Sequence, residues 1–316
     1  MSTREHYYKT KKTSFKELVA KKQVFAPCIW DCRTARVAEV AGFEAALLSG
    51  GQLAESTCGV PDIGLITADD LVQATERICQ YSKLPIIIDA DDGFGETPLT
   101  TYRLTSRLTR AGAAGLTLDD TTGIRGWNRW GAAMVGGYKD GEINHEVIPR
   151  DKWLAKTKAA LAACEEADCL LIARTESKLK YGLDEAIERC LRAIELGAEM
   201  TLIIGLKTLE EAQKVAKHVP GWKMWPDVMS KNGVPDVTLE DIEPLGFNFV
   251  TMHYLEKASM YGMMDYSKHV IKDRSTVYSD EHNMGGLSEE EKAALHTLDL
   301  DWWLDMERDF QTRISK

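Results

Sequence analysis

The segment Pro85-Ile86-Ile87-Ile88-Asp89-Ala90-Asp91-Asp92-Gly93-Phe94-Gly95 decides how this chain is read. It begins as a short β-branched apolar run, the pattern of a strand buried on both faces. It ends in three carboxylates within four positions, followed by two glycines. A buried strand that delivers acids at its C-terminal end is where an α/β barrel builds a site. Asp89 and Asp91 share one face as long as the backbone stays extended. Two carboxylates so placed repel unless a proton or a cation intervenes. A hard divalent cation such as Mg2+ suits them, since it takes oxygen ligands and keeps several waters. Gly93 and Gly95 let backbone approach a ligand closely. The plain alternative is a strand end with a solvated acidic turn.

Outward from this strand, the chain alternates short apolar runs with amphipathic stretches. Before it come a helix over Thr13–Lys22, a strand over Val24–Cys28, a helix over Cys32–Ala41, a strand over Ala45–Leu48 and a helix over Thr67–Tyr81. Thr67 is the N-cap candidate of that last helix. After it come a helix over Pro98–Ala111, a strand over Gly115–Leu118 and a helix over Pro149–Glu165. The pattern continues with strands over Cys169–Ala173, Met200–Ile204, Trp222–Trp225 and Asn248–Met252. Helices over Leu183–Leu196, Thr208–Lys217, Val237–Leu245 and Leu255–Val270 lie between and after them. Eight β/α units predict a (β/α)8 TIM-type barrel, in which every strand has two neighbours. A doubly wound open sheet is the alternative. The expected organisation is a single barrel domain over 1–316, with 287–316 as a helical extension. Trp302, Trp303 and Phe310 of that extension are expected to pack on the barrel or on another subunit.

The formal net charge of −10 argues against nucleic acid or an anionic membrane as the main partner. No apolar run is long enough to span a bilayer. Met1–Lys12 lacks the apolar centre of a secretory signal. The seven cysteines have no metal-finger spacing, and most sit in apolar surroundings. The expectation is a cytoplasmic protein with reduced thiols.

Polar residues gather where the predicted strands end: Asp31, Ser49, Asp89, Asp91, Asp119, Asp120, Arg174 and Glu176. In a barrel these positions converge on one face. One Arg among several carboxylates points to a site for a metal and an anionic substrate together. A structural Arg174–Asp119 pair is the simpler reading.

Several separated motifs then agree with one family. Leu48-Ser49-Gly50-Gly51, Gly59-Val60-Pro61-Asp62, Asp89-Ala90-Asp91-Asp92-Gly93-Phe94-Gly95, Asp119-Asp120, Ala173-Arg174-Thr175 and Tyr181-Gly182-Leu183-Asp184-Glu185-Ala186 occur in order. Over Phe25–His269 the chain resembles the isocitrate lyase/phosphoenolpyruvate mutase superfamily. The resemblance implies a (β/α)8 barrel with Mg2+ (or Mn2+), acting on small 2-oxo or 2-hydroxy carboxylates through an enolate. It implies that Asp89 binds the metal directly, and that Asp91 and Asp119 hold its waters. Ser49, Gly50 and Gly51 would receive the substrate carboxylate, and Arg174 would grip the substrate. Asp62 and Arg129 join Arg174 as catalytic candidates. The resemblance also implies a homotetramer or homodimer exchanging the last barrel helix.

The sequence departs from the family pattern in its substrate-selective half. The Lys-Lys-Cys-Gly-His segment of the family's carbon–carbon lyases is missing after Asp119-Asp120. In its place stands the Gly-rich stretch from Thr121 to Ile148, read as a lid. Its candidate groups are Arg125, Asn128, Arg129, Lys139 and His145. Ile203-Ile204-Gly205 is apolar where a Glu is common, and Trp225-Pro226-Asp227 replaces polar binders. Cys58 is a candidate for the missing acid, with packing as its simpler role. His253 is a candidate at the barrel mouth, with a helix-start hydrogen bond as its simpler role. The functional expectation is a Mg2+-dependent lyase or decarboxylase cleaving a C–C bond. The alternatives are P–C bond chemistry and a catalytically silent carboxylate-binding barrel.

Overall fold

The computed structural model of the protein describes residues 13–122, 146–228, 230–231, 234–282 and 286–314. Eight strands form the centre: β1 (Val24–Ile29), β2 (Ala46–Leu48), β3 (Ile86–Asp89), β4 (Gly115–Leu118), β5 (Leu170–Thr175), β6 (Met200–Ile203), β7 (Trp222–Trp225) and β8 (Phe247–Met252). They close into a parallel barrel in chain order, with β8 returning to β1. The predicted (β/α)8 architecture is the one observed.

The isoleucine run of β3 shows why the barrel holds. Ile87 packs inside with Leu47, Ile172, Leu202, Met224 and Phe249. Ile86 and Ile88 point the other way, into a layer with Leu48, Leu116, Leu118 and residues of the surrounding helices. Period-two alternation thus serves two apolar layers at once. The helix Phe15–Lys21 supplies Phe15, Leu18 and Val19 to the inner layer. The Phe15 ring packs edge-on against Phe249 at 4.9 Å. Thr67 caps its helix as predicted, in a reciprocal box with Asp70.

Two expected elements differ. β5 runs on to Thr175, so Arg174 lies inside the strand rather than after it. The expected helix over Val237–Leu245 is reduced to Leu239–Ile242 and a 3-10 turn over Glu243–Leu245. Pro244 lacks the N–H a longer helix would need.

The C-terminal extension docks on its own barrel. Arg33 Nη1 donates to the Leu295 carbonyl at 2.8 Å, and Arg36 Nε to the Ala294 carbonyl at 3.0 Å. Two guanidiniums thereby satisfy carbonyls at the C-terminal end of the helix Glu289–Thr297, where the helix dipole also favours positive charge. Arg36 also pairs with Asp299 at 2.9 Å. This ion pair holds the left-handed turn at Leu298 and Asp299, and Trp302 is buried just beyond it. Trp303 and Phe310 remain substantially exposed. No helix among the described residues is long and apolar enough to cross a membrane.

Arg36→Ala removes both fastenings that Arg36 makes to the extension and is expected to release it. Amide exchange over 289–314 should accelerate, while exchange over β3 and β5 stays slow. Unchanged protection in the extension would show that Arg36 does not hold it.

Candidate active site

The C-terminal ends of the strands surround a cavity of about 340 Å³. Ser49, Gly51, Asp62, Asp89, Asp91 and Arg174 all line it. Gly50 and Asp119 sit immediately behind this lining. An added Cβ on Gly50 would stand 3.3 Å from Asp91 Oδ2. On Gly51 it would stand 2.6 Å from Asp62 Oδ2, so only glycine fits against that carboxylate. Ser49 caps the short helix Gly50–Leu53, accepting from the Gln52 N–H.

Arg174 is the electrostatic centre. Its guanidinium pairs with Asp89 at 3.1 Å and with Glu176, and its Nε lies 4.0 Å from Asp119. Burial works against its charge. Glu176, Asp89 and Asp119 outweigh that and hold its pKa well above the ordinary arginine value. The simpler reading, a pair with Asp119 alone, gives way to a cluster in which Asp89 and Glu176 are the nearer partners.

Asp89 commits one oxygen to its protein partners. Oδ1 accepts from Arg174, from the Thr117 hydroxyl at 2.9 Å and from the Asp91 N–H at 3.4 Å. Asp119 is fully buried, and its Oδ1 accepts from the Thr121 N–H and hydroxyl at 2.9 and 2.7 Å.

The expectation that Asp91 continues the extended strand is corrected. β3 ends at Asp89, and Asp91 adopts a left-handed φ of 52°. It still reaches the cavity, because its carbonyl is anchored by the Asp119 N–H at 2.8 Å. The two glycines have another purpose than ligand approach. Gly93 has a φ of +86°, and a Cβ there would meet Thr101 at 2.9 Å. A Cβ on Gly95 would meet Thr100 at 2.4 Å. Both glycines let the turn close onto the helix Pro98–Arg110.

Other strand-end residues serve the frame. Asp31 caps the helix Cys32–Val40. Asp120 is fully buried and accepts from Arg189 at 3.0 Å, Thr175 at 2.5 Å and the Glu176 N–H at 2.8 Å. Arg189 donates in addition to the Ile148 carbonyl, and Thr121–Thr122 ladders with Glu146–Val147. The two ends of the predicted lid are thus tied together. Arg125, Asn128, Arg129, Lys139 and His145 lie outside the described residues. Cys58 is exposed and does not line the cavity. His253 does line it, and its partner is Asp227 rather than a helix start.

Some lining residues went unnoticed in the sequence. Thr117 lies two positions before Asp119, so period-two reading of β4 would have found it. Gln52, Glu55 and Glu256 carry no comparable signal.

The family model of phosphoenolpyruvate phosphomutase matches residues 15–271. The chain belongs to the phosphoenolpyruvate mutase/isocitrate lyase superfamily. It is 28% identical to the petal death protein of Dianthus caryophyllus, over 97% of this chain and 91% of that one. It is 30% identical to 2,3-dimethylmalate lyase of Eubacterium barkeri, over 73% of this chain and 75% of that one. A solved structure of oxaloacetate acetylhydrolase with 3,3-difluorooxalacetate shares the fold. Its TM-score is 0.77 at 23% identity, covering 95% of this chain and 96% of the other.

Burial pushes the Asp120 carboxyl up to about 6 despite its donors. The folded state therefore holds this proton more tightly than the unfolded chain. The group's contribution to stability is then lost as pH rises from 3.8 to about 6. Asp120→Asn should remove that decline, so the stability difference between wild type and variant shifts by on the order of 3 kcal/mol across the window. Urea midpoints at several pH values would measure it, and parallel curves would refute it.

Proposed function

We propose that the chain is a divalent-metal-dependent lyase that breaks a C–C bond of a small 2-oxo or 2-hydroxy carboxylate through an enolate. The observation that carries this reading is the Arg174–Asp89 pair, set in a cavity that also holds Asp91, Asp62 and the Ser49–Gly51 turn. One guanidinium stands among Asp89, Asp119 and Glu176, with Asp91 beside them, so negative charge is in excess.

The donor set fits a hard cation. All its donors are oxygens, and Asp89 keeps its protein contacts on Oδ1. Among the described residues, no three His, Cys, Asp or Glu side chains converge as a direct ligand cage. Mg2+ or Mn2+ held by Asp89, with waters held by Asp91 and Asp119, matches that arrangement. Such an ion, when bound, supplies Lewis-acid stabilisation of a developing enolate oxygen. The protein's own groups do the rest. Arg174 binds and orients the substrate anion, and the amides of the Ser49–Gly51 turn receive its carboxylate.

Across the cavity, Leu202, Ile204, Met224 and Pro226 form an apolar wall. An alkyl-bearing fragment suits that wall, whereas a phosphoryl group would meet no donor on it. The name of the Eubacterium barkeri relative, a 2,3-dimethylmalate lyase, agrees with this preference. Phosphonopyruvate is accordingly the poorer candidate. All seven cysteines are free thiols, which supports a reducing, cytoplasmic setting.

The last barrel helix, Leu255–Asp273, buries only Leu255. Met260, Tyr261, Met263, Met264 and Ile271 are exposed, as is Phe25 on β1, where a barrel helix would cover it. This supports exchange of the helix between copies, in a dimer or tetramer. Light scattering of the full chain is expected to give a multiple of 35.3 kDa. Met264→Asp with Tyr261→Asp should lower that multiple.

The activity test is a panel of oxaloacetate, 2,3-dimethylmalate, 2-methylisocitrate and phosphonopyruvate, assayed for pyruvate or phosphate with Mg2+ and with chelator. Metal-dependent pyruvate release is expected, with 2,3-dimethylmalate favoured. Asp89→Asn should lower kcat/KM by about 10²-fold or more, a loss of roughly 3 kcal/mol in transition-state stabilisation. Chelator-resistant turnover would exclude the metal role. Phosphate release would favour P–C chemistry, and no turnover a binding protein.

A further inference from the structure

Beyond the ends of β7 and β8, two residues make a pair that faces the cavity from the side opposite Asp89. His253 Nδ1 lies 2.7 and 2.8 Å from the two oxygens of Asp227, and the His253 backbone N–H donates to the same carboxylate at 3.0 Å. Both side chains line the cavity that holds Asp89, Asp91 and Arg174. The double contact fixes the ring and aims its Nδ1–H at Asp227, so Nε2 carries the other proton of the charged ring, with Cys28 beside it.

The surroundings set the charge of the ring. Burial lowers its pKa, but Cys28 and Asp227 beside it outweigh burial and hold it well above the usual histidine value. Burial in turn raises the Cys28 thiol, and His253 beside it works against that. The His253 side chain keeps 41% of its exposure, enough to be reprotonated by solvent.

Cleavage of a C–C bond leaves an electron pair on carbon, and that carbon needs a proton. Arg174 stays charged throughout the accessible pH range and is a poor donor. Asp62, Asp89 and Asp91 line the same cavity, with Asp89 beside Arg174, where the substrate anion of the lyase reading would sit. Among the described residues, Glu55 is a competitor, its carboxyl raised by burial and by Glu256. It lacks the pinned geometry of the Asp227–His253 pair.

We propose that His253, oriented by Asp227, is the general acid that protonates the carbon released by cleavage. The Nε2–H bond breaks, the enolate π pair takes the proton to form a C–H bond, and the ring becomes neutral. Asp227 stays an anion on Nδ1–H, and a solvent proton restores Nε2–H. This assignment rests on the lyase reading above.

The sign of the pH effect follows. The acid form is present at low pH and is lost as pH rises through the ring's raised pKa, so turnover falls on the alkaline side. The charged or titratable groups around the ring are Asp227 after β7, Cys28 on β1 and Glu256 in the last barrel helix, with Asp89 on β3 across the cavity.

The experiment uses the full chain with Mg2+ and 2,3-dimethylmalate in D2O, reading kcat, KM and the configuration of the monodeuterated acid fragment. Wild type should place deuterium on one face. His253→Gln should lower kcat by about 10²-fold with KM little changed, and scramble the label between faces. Asp227→Asn should keep part of the activity and move the alkaline limb to lower pH. Full-rate, stereospecific turnover by His253→Gln overturns the acid role while leaving the lyase reading intact. Scrambling in Glu55→Gln but not in His253→Gln assigns the proton to Glu55 and also overturns it. If wild type releases no product from any acid in the panel, the lyase reading falls and this assignment falls with it. Independently of activity, a 13C-histidine signal absent from His253→Gln should titrate above 6.5, the ordinary histidine value, in wild type and lower in Asp227→Asn. Titration at or below 6.5 in wild type overturns the assignment.

Discussion

A single guanidinium buried among carboxylates is the constraint on which the barrel mouth depends. Arg174 is 8% exposed, while Asp119 and Glu176 are fully buried. None of these charges could be tolerated alone, because an uncompensated buried ion costs several kcal/mol. Together they are tolerable only if the strands that carry them stay in register. β5 supplies Arg174, β3 supplies Asp89, and Asp119 follows β4, the strand between them. A one-residue slip of β5 would turn Arg174 outward into the helix layer and leave Asp89 and Asp119 facing each other. The same electrostatics that favours a cation in the cavity therefore also fixes the pairing of the three strands.

A second buried pair stabilises the frame behind the first. Asp120 and Arg189 join the end of β4 to the helix Leu183–Glu195, and Arg189 reaches on to the Ile148 carbonyl. Neighbouring acids thus divide their roles: Asp119 faces Arg174, and Asp120 faces away into the helices. Successive residues of an extended segment point to opposite sides, which is why one acidic dipeptide serves both site and scaffold.

That alternation also explains what the sequence made legible. Ile86-Ile87-Ile88 marks a strand with two apolar faces, and the recurrence of such runs between amphipathic helices leaves a closed barrel as the economical solution. Ser49, Asp89, Asp91 and Arg174 could be placed at one end from their position where the runs end, whereas Gly51 and Asp62 came from the family resemblance. What stayed hidden depended on turns. The left-handed backbone at Asp91, the closure of Gly93 and Gly95 onto Thr100 and Thr101, and the docking of Arg36 on Asp299 are contacts of the folded chain. No periodic pattern encodes them. The break of the helix near Pro244 was legible in principle, since proline lacks the N–H that a continuing helix uses.

The barrel mouth finally divides into two halves of different chemistry. β2–β5 present acids, Arg174 and the glycine turn, which suits an anion and a cation held together. β6 and β7 present Leu202, Ile204, Met224 and Pro226, with the Asp227–His253 pair at the rim. A substrate spanning the cavity would meet charge at one end and apolar surface at the other. Bond breaking would then leave an electron pair on the carbon nearer the apolar side. Such a gradient favours cleavage over simple binding, because an apolar wall gives little to a second carboxylate in the ground state. A positioned acid at its edge would act only once a carbon there becomes basic.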